Sequence, residues 1–206
     1  ALKYIYDVSA ESRNELQGLY GLNDCSFEEI QNDKEVEGIV IATPASTHYK
    51  IAKECLENNK DIFVEKPICL DLKEAEKLKI LANNKNKIIM VGHLLNYHNH
   101  FQALLEIIKN NNFGDLIRVR STRKSFGKLR ENENVIWSFG THDISMINRL
   151  TKGSVTNLKV IKNKYFNDNV DSALLTYKKS NVNVEIDLDW SSIYKLHRME
   201  LYFEKN

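Results

Sequence analysis

Three short apolar runs alternate with amphipathic helical segments in the first 93 residues, and that alternation leaves few folds open. The runs are "GIVIA" from Gly38, "DIFV" from Asp61 and "KIIMVG" from Lys87. Between the first two, a helix from about Thr47 to Leu56 sets Ile51, Ala52, Cys55 and Leu56 on one stripe, and Asn58-Asn59 end it. Between the last two, a helix starts at Asp71, whose side chain can cap while Glu74 reaches back, and buries Leu72, Ala75, Leu78 and Leu81. Upstream, "LKYIY" at residues 2–6 reads as a further strand ending on Asp7, followed by a helix with Ser9 as N-cap and Gly21 near its end. Strand and helix alternating at this spacing predict βαβ units on a parallel sheet. The unbroken apolar character of "GIVIA" suits burial on both faces.

After Gly92 the pattern changes. A helix near residues 98–110 and a strand "DLIRVRSTR" precede a polar stretch and a helix beginning near Thr141. Then "VTNLKVIKN", "SALLTYKK", "NVEIDLDW" and "HRMELYFE" alternate as antiparallel strands do. The fold class is therefore α/β over residues 1–93, a dinucleotide-binding type of domain, joined to a second, α+β domain over 94–206 built on an antiparallel sheet. Asn83–Lys87 and Asn110–Asn112 read as polar turns.

With 29 basic and 28 acidic residues, the formal charge of +1 provides no field to attract nucleic acid or an anionic membrane, which leaves a small molecule as the expected partner. No run reaches the roughly 18–20 apolar residues of a membrane span, and the N-terminal segment lacks a signal peptide's apolar centre, so the expected location is cytoplasmic. Cys25, Cys55 and Cys69 lack metal-type spacing and read as reduced thiols.

In open α/β sheets, ligands sit outside the carboxyl ends of the strands. Here those ends carry Asp7, Thr43-Pro44 and Glu65-Lys66-Pro67. A charged pair at a buried strand end is costly unless it faces a ligand cleft. Asp7 stands where a Rossmann half places an acid for the adenosine ribose, though a turn or helix-capping aspartate reads equally well. The Gly-rich phosphate turn belongs about 20 residues before that acid, upstream of residue 1, so the parallel sheet is expected to lack its first βα unit. Gly18 and Gly21 end a helix and cannot replace that turn. Either the sequence is part of a longer chain or the pyrophosphate site is lost, in which case a non-catalytic binding or scaffold protein is the alternative.

The segment "VEGIVIATPASTHYKIAKECLENNKDIFVEKPICLDLKEAEKL", with "IIMVGHLLNYH" and "WSFGTHDISMI", resembles the glucose-fructose oxidoreductase, inositol dehydrogenase and MocA (Gfo/Idh/MocA) family of nicotinamide-dependent enzymes. The resemblance covers residues 1 to about 150 and implies a set of roles. Thr43, Pro44 and His48 lie along the cofactor, and Glu65, Lys66 and Pro67 form the catalytic tripeptide, its Lys-Pro bond cis so that the ammonium faces substrate. His142 takes the hydroxyl proton while Lys66 stabilises the developing alkoxide. Many members place an aspartate four residues before that histidine; here Ser138 stands there, which orients a proton path but holds no negative charge.

The segments around "GHLLNYHNHF" and "STRKSFGKLRENENVIWSF" look most like the branch that oxidises C3 of UDP-linked N-acetylhexosamines or their uronates. His93, Asn96, Tyr97, His98 and Ser138 then line the sugar pocket. Arg123, with Lys124, Lys128 and Arg130, offers cations to a diphosphate or carboxylate, or else forms a solvated basic loop. Trp137 either stacks on a ring or belongs to the core. An inositol or aldose substrate is the alternative within the same chemistry. His93, His98 and His100 do not converge as metal ligands, and no metal is expected. Asp7 repels a 2′-phosphate and Val8-Ser9 provide no arginine to accept one, so NAD is expected over NADP. In the family a second subunit covers the open sheet, which implies a homo-oligomer, dimer or tetramer.

Overall fold

The structure is a computed structural model that describes residues 2–22, 25–110, 112–126, 133–166 and 168–205. The chain forms two compact units, Ala1–Gly92 and His93–Asn206. Among the described residues no helix is long and apolar enough to cross a membrane.

In the first unit, helix α1 (Ala10–Tyr20) starts where the Ser9 hydroxyl accepts from the Ser12 amide and ends on Gly21 in the left-handed region, φ 65°. Helix α2 (Phe27–Asn32) is absent from the sequence reading, yet its signal was present. Ser26 and Glu29 form a capping box, the Ser26 hydroxyl receiving the Glu29 amide and the Glu29 carboxylate receiving the Ser26 amide. Strands β1 (Gly38–Ile41), β2 (Asp61–Val64) and β3 (Ile89–Val91) pair in parallel in that order. Helix α3 (Ala45–Glu57) connects β1 to β2, and α4 (Leu72–Lys85) connects β2 to β3.

Four expectations need correction here. Residues 2–6 join no ladder; side chains tie them instead, with Lys3 Nζ 2.6 Å from the Asp33 carboxylate and the Tyr4 hydroxyl donating to it at 2.9 Å. A strand needs a hydrogen-bonded neighbour, and none lies beside this segment among the described residues. The sheet is buried on one face only. Ile41, Ile62 and Val64 pack on Ala52, Cys55 and Leu56 of α3 and on Leu78 and Ala82 of α4, whereas Val40 and Met90, on the opposite face of the pleat, are exposed. Leu72 points outward from the first turn of α4, whose buried residues are Leu78 and Ala82. That helix also runs through Asn83 to Lys85 before Asn86 closes it at φ 53°. The Asp71 cap forms, its carboxylate accepting from the Lys73 and Glu74 amides.

The second unit carries helix α5 (Asn99–Lys109), strand β4 (Leu116–Lys124), helix α6 (Thr141–Leu150) and strands β5 (Val155–Asn163), β6 (Ser172–Lys179), β7 (Val182–Asp189) and β8 (Leu196–Phe203). Its sheet order is β5-β6-β7-β4-β8. The sheet is mixed, not antiparallel: β4 inserts between β7 and β8 and runs parallel to β7. Alternating polarity along a strand reports which face is buried and carries no information on a neighbour's direction, so the sequence pattern could not separate the two arrangements. Val119, Ile147, Leu175, Ile186, Leu188 and Trp190 form the core beneath α6. Strand β5 is exposed along its whole length.

One polar knot sits in that core. Asp171 is fully buried, and its carboxylate accepts from Trp190 Nε1 at 2.6 Å and from the Tyr165 and Phe166 amides at 2.5 and 3.0 Å. Burial by itself would raise the carboxyl pKa, but the three donors outweigh it and hold the group below its ordinary value. A depressed folded value adds stability above the unfolded pKa of about 3.9, and that stability is lost as pH falls through the folded value. Asp171→Asn should therefore flatten the acid limb of a urea-denaturation series as pH falls below about 5, while Asp171→Ala, leaving the buried Trp190 Nε1–H and the part-buried Tyr165 and Phe166 amides without this acceptor, should cost on the order of 2–3 kcal/mol at neutral pH.

Candidate active site

In the first unit the ladder continues one residue beyond the strands: the Glu65 amide donates to Ile41 O at 2.9 Å and the Gly92 amide to Val64 O at 2.8 Å. Thr43-Pro44, Glu65-Lys66-Pro67 and Gly92 thus leave the sheet along one carboxyl-terminal edge. The Lys66-Pro67 peptide is cis. Gly92 is there because a Cβ would stand 3.1 Å from both Glu65 carboxylate oxygens, tighter than a carbon tolerates comfortably.

His48, in the first turns of α3, is only 1% exposed. Its Nε2 lies 2.7 Å from Thr43 O and its Nδ1 2.7 Å from Pro67 O. Both partners are carbonyl oxygens, which only accept, so a ring nitrogen bonds its carbonyl when it carries a proton. With both nitrogens engaged and the ring enclosed, His48 clasps two strand-exit turns together; direct contact with a cofactor is closed to it. Thr47 Oγ1 adds a second tie, 2.7 Å from both Thr43 Oγ1 and Pro44 O.

Asp7 holds the turn into α1, its Oδ1 accepting from the Ser9 amide at 2.8 Å. Sequence reasoning stopped at Val8-Ser9 and missed Arg13. One helical turn on, its Nη1 donates to Asp7 O at 2.6 Å, and its guanidinium stands 5.9 Å from the centre of the Tyr6 ring.

In the second unit, His93 precedes a 3-10 turn, Leu94–Tyr97, that packs against α6. The structure so brings His93, Asn96 and Tyr97 near the helix that carries His142 in its first turn. Tyr97 is exposed, and His98 caps α5, its Nδ1 accepting from the His100 amide at 3.3 Å. The His98 and His100 rings meet edge to face. Among the described residues no three His, Cys, Asp or Glu are grouped to hold a metal ion.

A π-helical segment, Ile136–Gly140, leads into α6, with Asn134 Oδ1 capping it by accepting from the Ile136 and Trp137 amides. The wider π turn buries Ser138 and leaves Trp137 36% exposed, so the tryptophan is not a core residue. Gly140 admits Leu188, whose Cδ1 would lie 2.9 Å from a Cβ there.

Arg123 corrects an expectation. It belongs neither to a solvated loop nor to an open anion site: 9% exposed, it gives Nε to Asp143 Oδ2 at 2.7 Å and Nη2 to Oδ1 at 3.4 Å. Lys124 pairs with Asp187 at 2.6 Å. Lys128 and Arg130 lie outside the described residues. Ser121 Oγ completes the cluster, donating to Asp143 Oδ1 at 2.6 Å. His197 Nδ1 stands 3.5 Å from Arg123 Nη1. Burial, then the Arg123 and Lys195 cations, push its pKa below the ordinary imidazole value against the opposing pull of Asp143. Asp143, Ser121 and His197 were not singled out from sequence; a carboxylate one residue after His142 was the available signal.

A parallel sheet whose exits form one polar edge, with a cis Lys-Pro turn on it, defines a nucleotide-binding unit of Rossmann type. Residues 1–93 match the family described as "Oxidoreductase family, NAD-binding Rossmann fold", the Gfo/Idh/MocA model. An uncharacterized oxidoreductase of Streptococcus pneumoniae is 23% identical over 185 residues, 82% of this chain and 50% of the relative. The UDP-N-acetylglucosamine 3-dehydrogenase of Acidithiobacillus ferrooxidans is 26% identical over 140 residues, 68% of this chain and 44% of that enzyme. Its solved structure superposes with a TM-score of 0.86 at 22% identity, over 96% of this chain and 64% of that one. GenD2 from gentamicin A biosynthesis, solved with NAD, gives a TM-score of 0.91 at 18% identity, over all of this chain and 63% of that one. The chain spans about half the length of the curated relatives it matches, or less.

Removing the His48 clasp leaves two buried carbonyls unpaired. His48→Ala should cost about 2–3 kcal/mol in urea denaturation. Because the turns it joins form the ligand edge, NAD binding by the full-length protein should weaken about tenfold in a fluorescence titration.

Proposed function

We propose that the full-length protein oxidises a secondary alcohol of a sugar with a nicotinamide cofactor, the sugar being a UDP-linked N-acetylhexosamine or its uronate, attacked at C3. The observation that supports it is the clasped polar edge of the first unit, with Glu65, Lys66 and the cis Lys66-Pro67 peptide on it, in a family of NAD-binding oxidoreductases.

The cofactor, when bound, accepts a hydride from the alcohol carbon. Thr43, Pro44, Glu65 and Pro67 would hold it along the sheet edge, and Asp7 would hold its ribose. Lys66 donates a hydrogen bond to the substrate oxygen and stabilises negative charge as it develops. His142 removes the hydroxyl proton. Ser138 supplies a hydroxyl where an aspartate would supply charge, so the acid-base work falls on His142 and Lys66. His93, Asn96, Tyr97 and His98 line the sugar pocket. The fully exposed β5 supports cover by a second copy of the chain, and three free thiols support a cytoplasmic setting.

A second reading, a free polyol such as inositol or an aldose, gains from the pairing of Arg123 with Asp143, which occupies a cation that a diphosphate would use. Cofactor-absorbance assays separate the two: turnover of UDP-N-acetylhexosamines without turnover of inositol supports the first, and the reverse sinks it. Lys66→Ala should lower kcat on the order of 100-fold or more while leaving NAD affinity within about threefold. Asp7 favours NAD, whereas Arg13 places a cation close by. Titration should nonetheless give tighter binding of NAD than NADP, and equal affinities would remove the role given to Asp7.

A further inference from the structure

The start of α6 lacks the usual device for fixing a helix N-terminus: Gly140 offers no side-chain cap, and the π-helical segment enters without a break. What fixes it lies in the next turn. Asp143, 2% exposed, points away from solvent onto β4, where Arg123 grips it at two points and Ser121 at a third. A buried ion pair contributes little net stability relative to apolar packing, because both charges must be desolvated, but it is demanding in geometry. The carboxylate also sits favourably in the first turn of a helix.

We propose that the Arg123–Asp143–Ser121 cluster is a positioning device that fixes the direction of His142, the adjacent residue, and rests on β4 as a rigid base. The inference depends on the proton-accepting role given to His142 above. Two side chains of β4, alternate residues on one face of the strand, hold one carboxylate, Arg123 on both oxygens and Ser121 on Oδ1, which restrains translation of the helix start and rotation about its axis. Arg123 and Asp143 touch no reacting atom in this arrangement. They act through His142.

The test uses the full-length protein with isotope-labelled histidine, the His142 ring signal being assigned by its loss in His142→Gln. In the parent protein that signal should be single and sharp. In Arg123→Met it should broaden or split, with kcat reduced on the order of 100-fold and KM within about twofold. Arg123→Lys should restore part of both. Ser121→Ala, which removes one bond and keeps the ion pair, should give a smaller change in the same direction and serves if Arg123→Met fails to fold. An unchanged His142 signal in a folded Arg123→Met or in Ser121→Ala overturns the proposal, as does a KM that rises in step with any fall in kcat. Should the parent protein turn over no sugar at all, the proposed function fails while the ring signal still decides the positioning.

Discussion

A single enclosed imidazole joins the exits of two parallel strands, and the geometry of the first unit's ligand edge follows from it. Strand pairing aligns β1, β2 and β3 only as far as Glu65 and Gly92. Beyond that point each chain segment is a loop with its own freedom, and ordering it costs conformational entropy. By bonding to Thr43 O and Pro67 O from a position on α3, His48 makes the two loops a continuation of the sheet. Its burial excludes water from both bonds, which strengthens them and makes their loss expensive.

The second unit uses a different solution to the same problem. Its helix α6 is steered by charge rather than by a ring, with β4 providing the fixed side through Ser121 and Arg123. In each unit the side chain proposed for chemistry neighbours the one that is buried and bonded: Lys66 precedes Pro67, whose carbonyl is clasped, and His142 precedes Asp143. Placing the supporting group next in sequence fixes the backbone of the reactive residue without using its side chain.

Element type was legible wherever periodicity was strong. The stripe Ile51, Ala52, Cys55, Leu56 and the Asp71 cap predicted α3 and α4 because burial and capping are local properties. What escaped was whatever depends on neighbours. Residues 2–6 carry strand composition but join no ladder; β4 runs parallel to β7 because of an insertion that no alternation pattern records. At the site, the "EKP" and "THD" motifs were visible as motifs, whereas the fate of Arg123 was not. A run of basic residues reads as a solvated surface unless one knows that Asp143 lies across from it, 20 positions on. Helix α2 was missed for a lesser reason: its capping box was in plain view, and six residues were too few to show a period.

The insertion of β4 between β7 and β8 also orders events in time. Arg118 on β4 meets Glu185 on β7 across 67 positions, and its other neighbour begins only at Leu196. Contacts so distant along the chain close large loops before they return any energy, which slows formation of the second unit relative to one built from hairpins. During synthesis β4 leaves the ribosome with neither flank available, an uncovered template that foreign strands can pair with. Its charged, outward-facing Arg118 and Arg120 are the residues that discourage such pairing until β7 arrives and Glu185 takes them up.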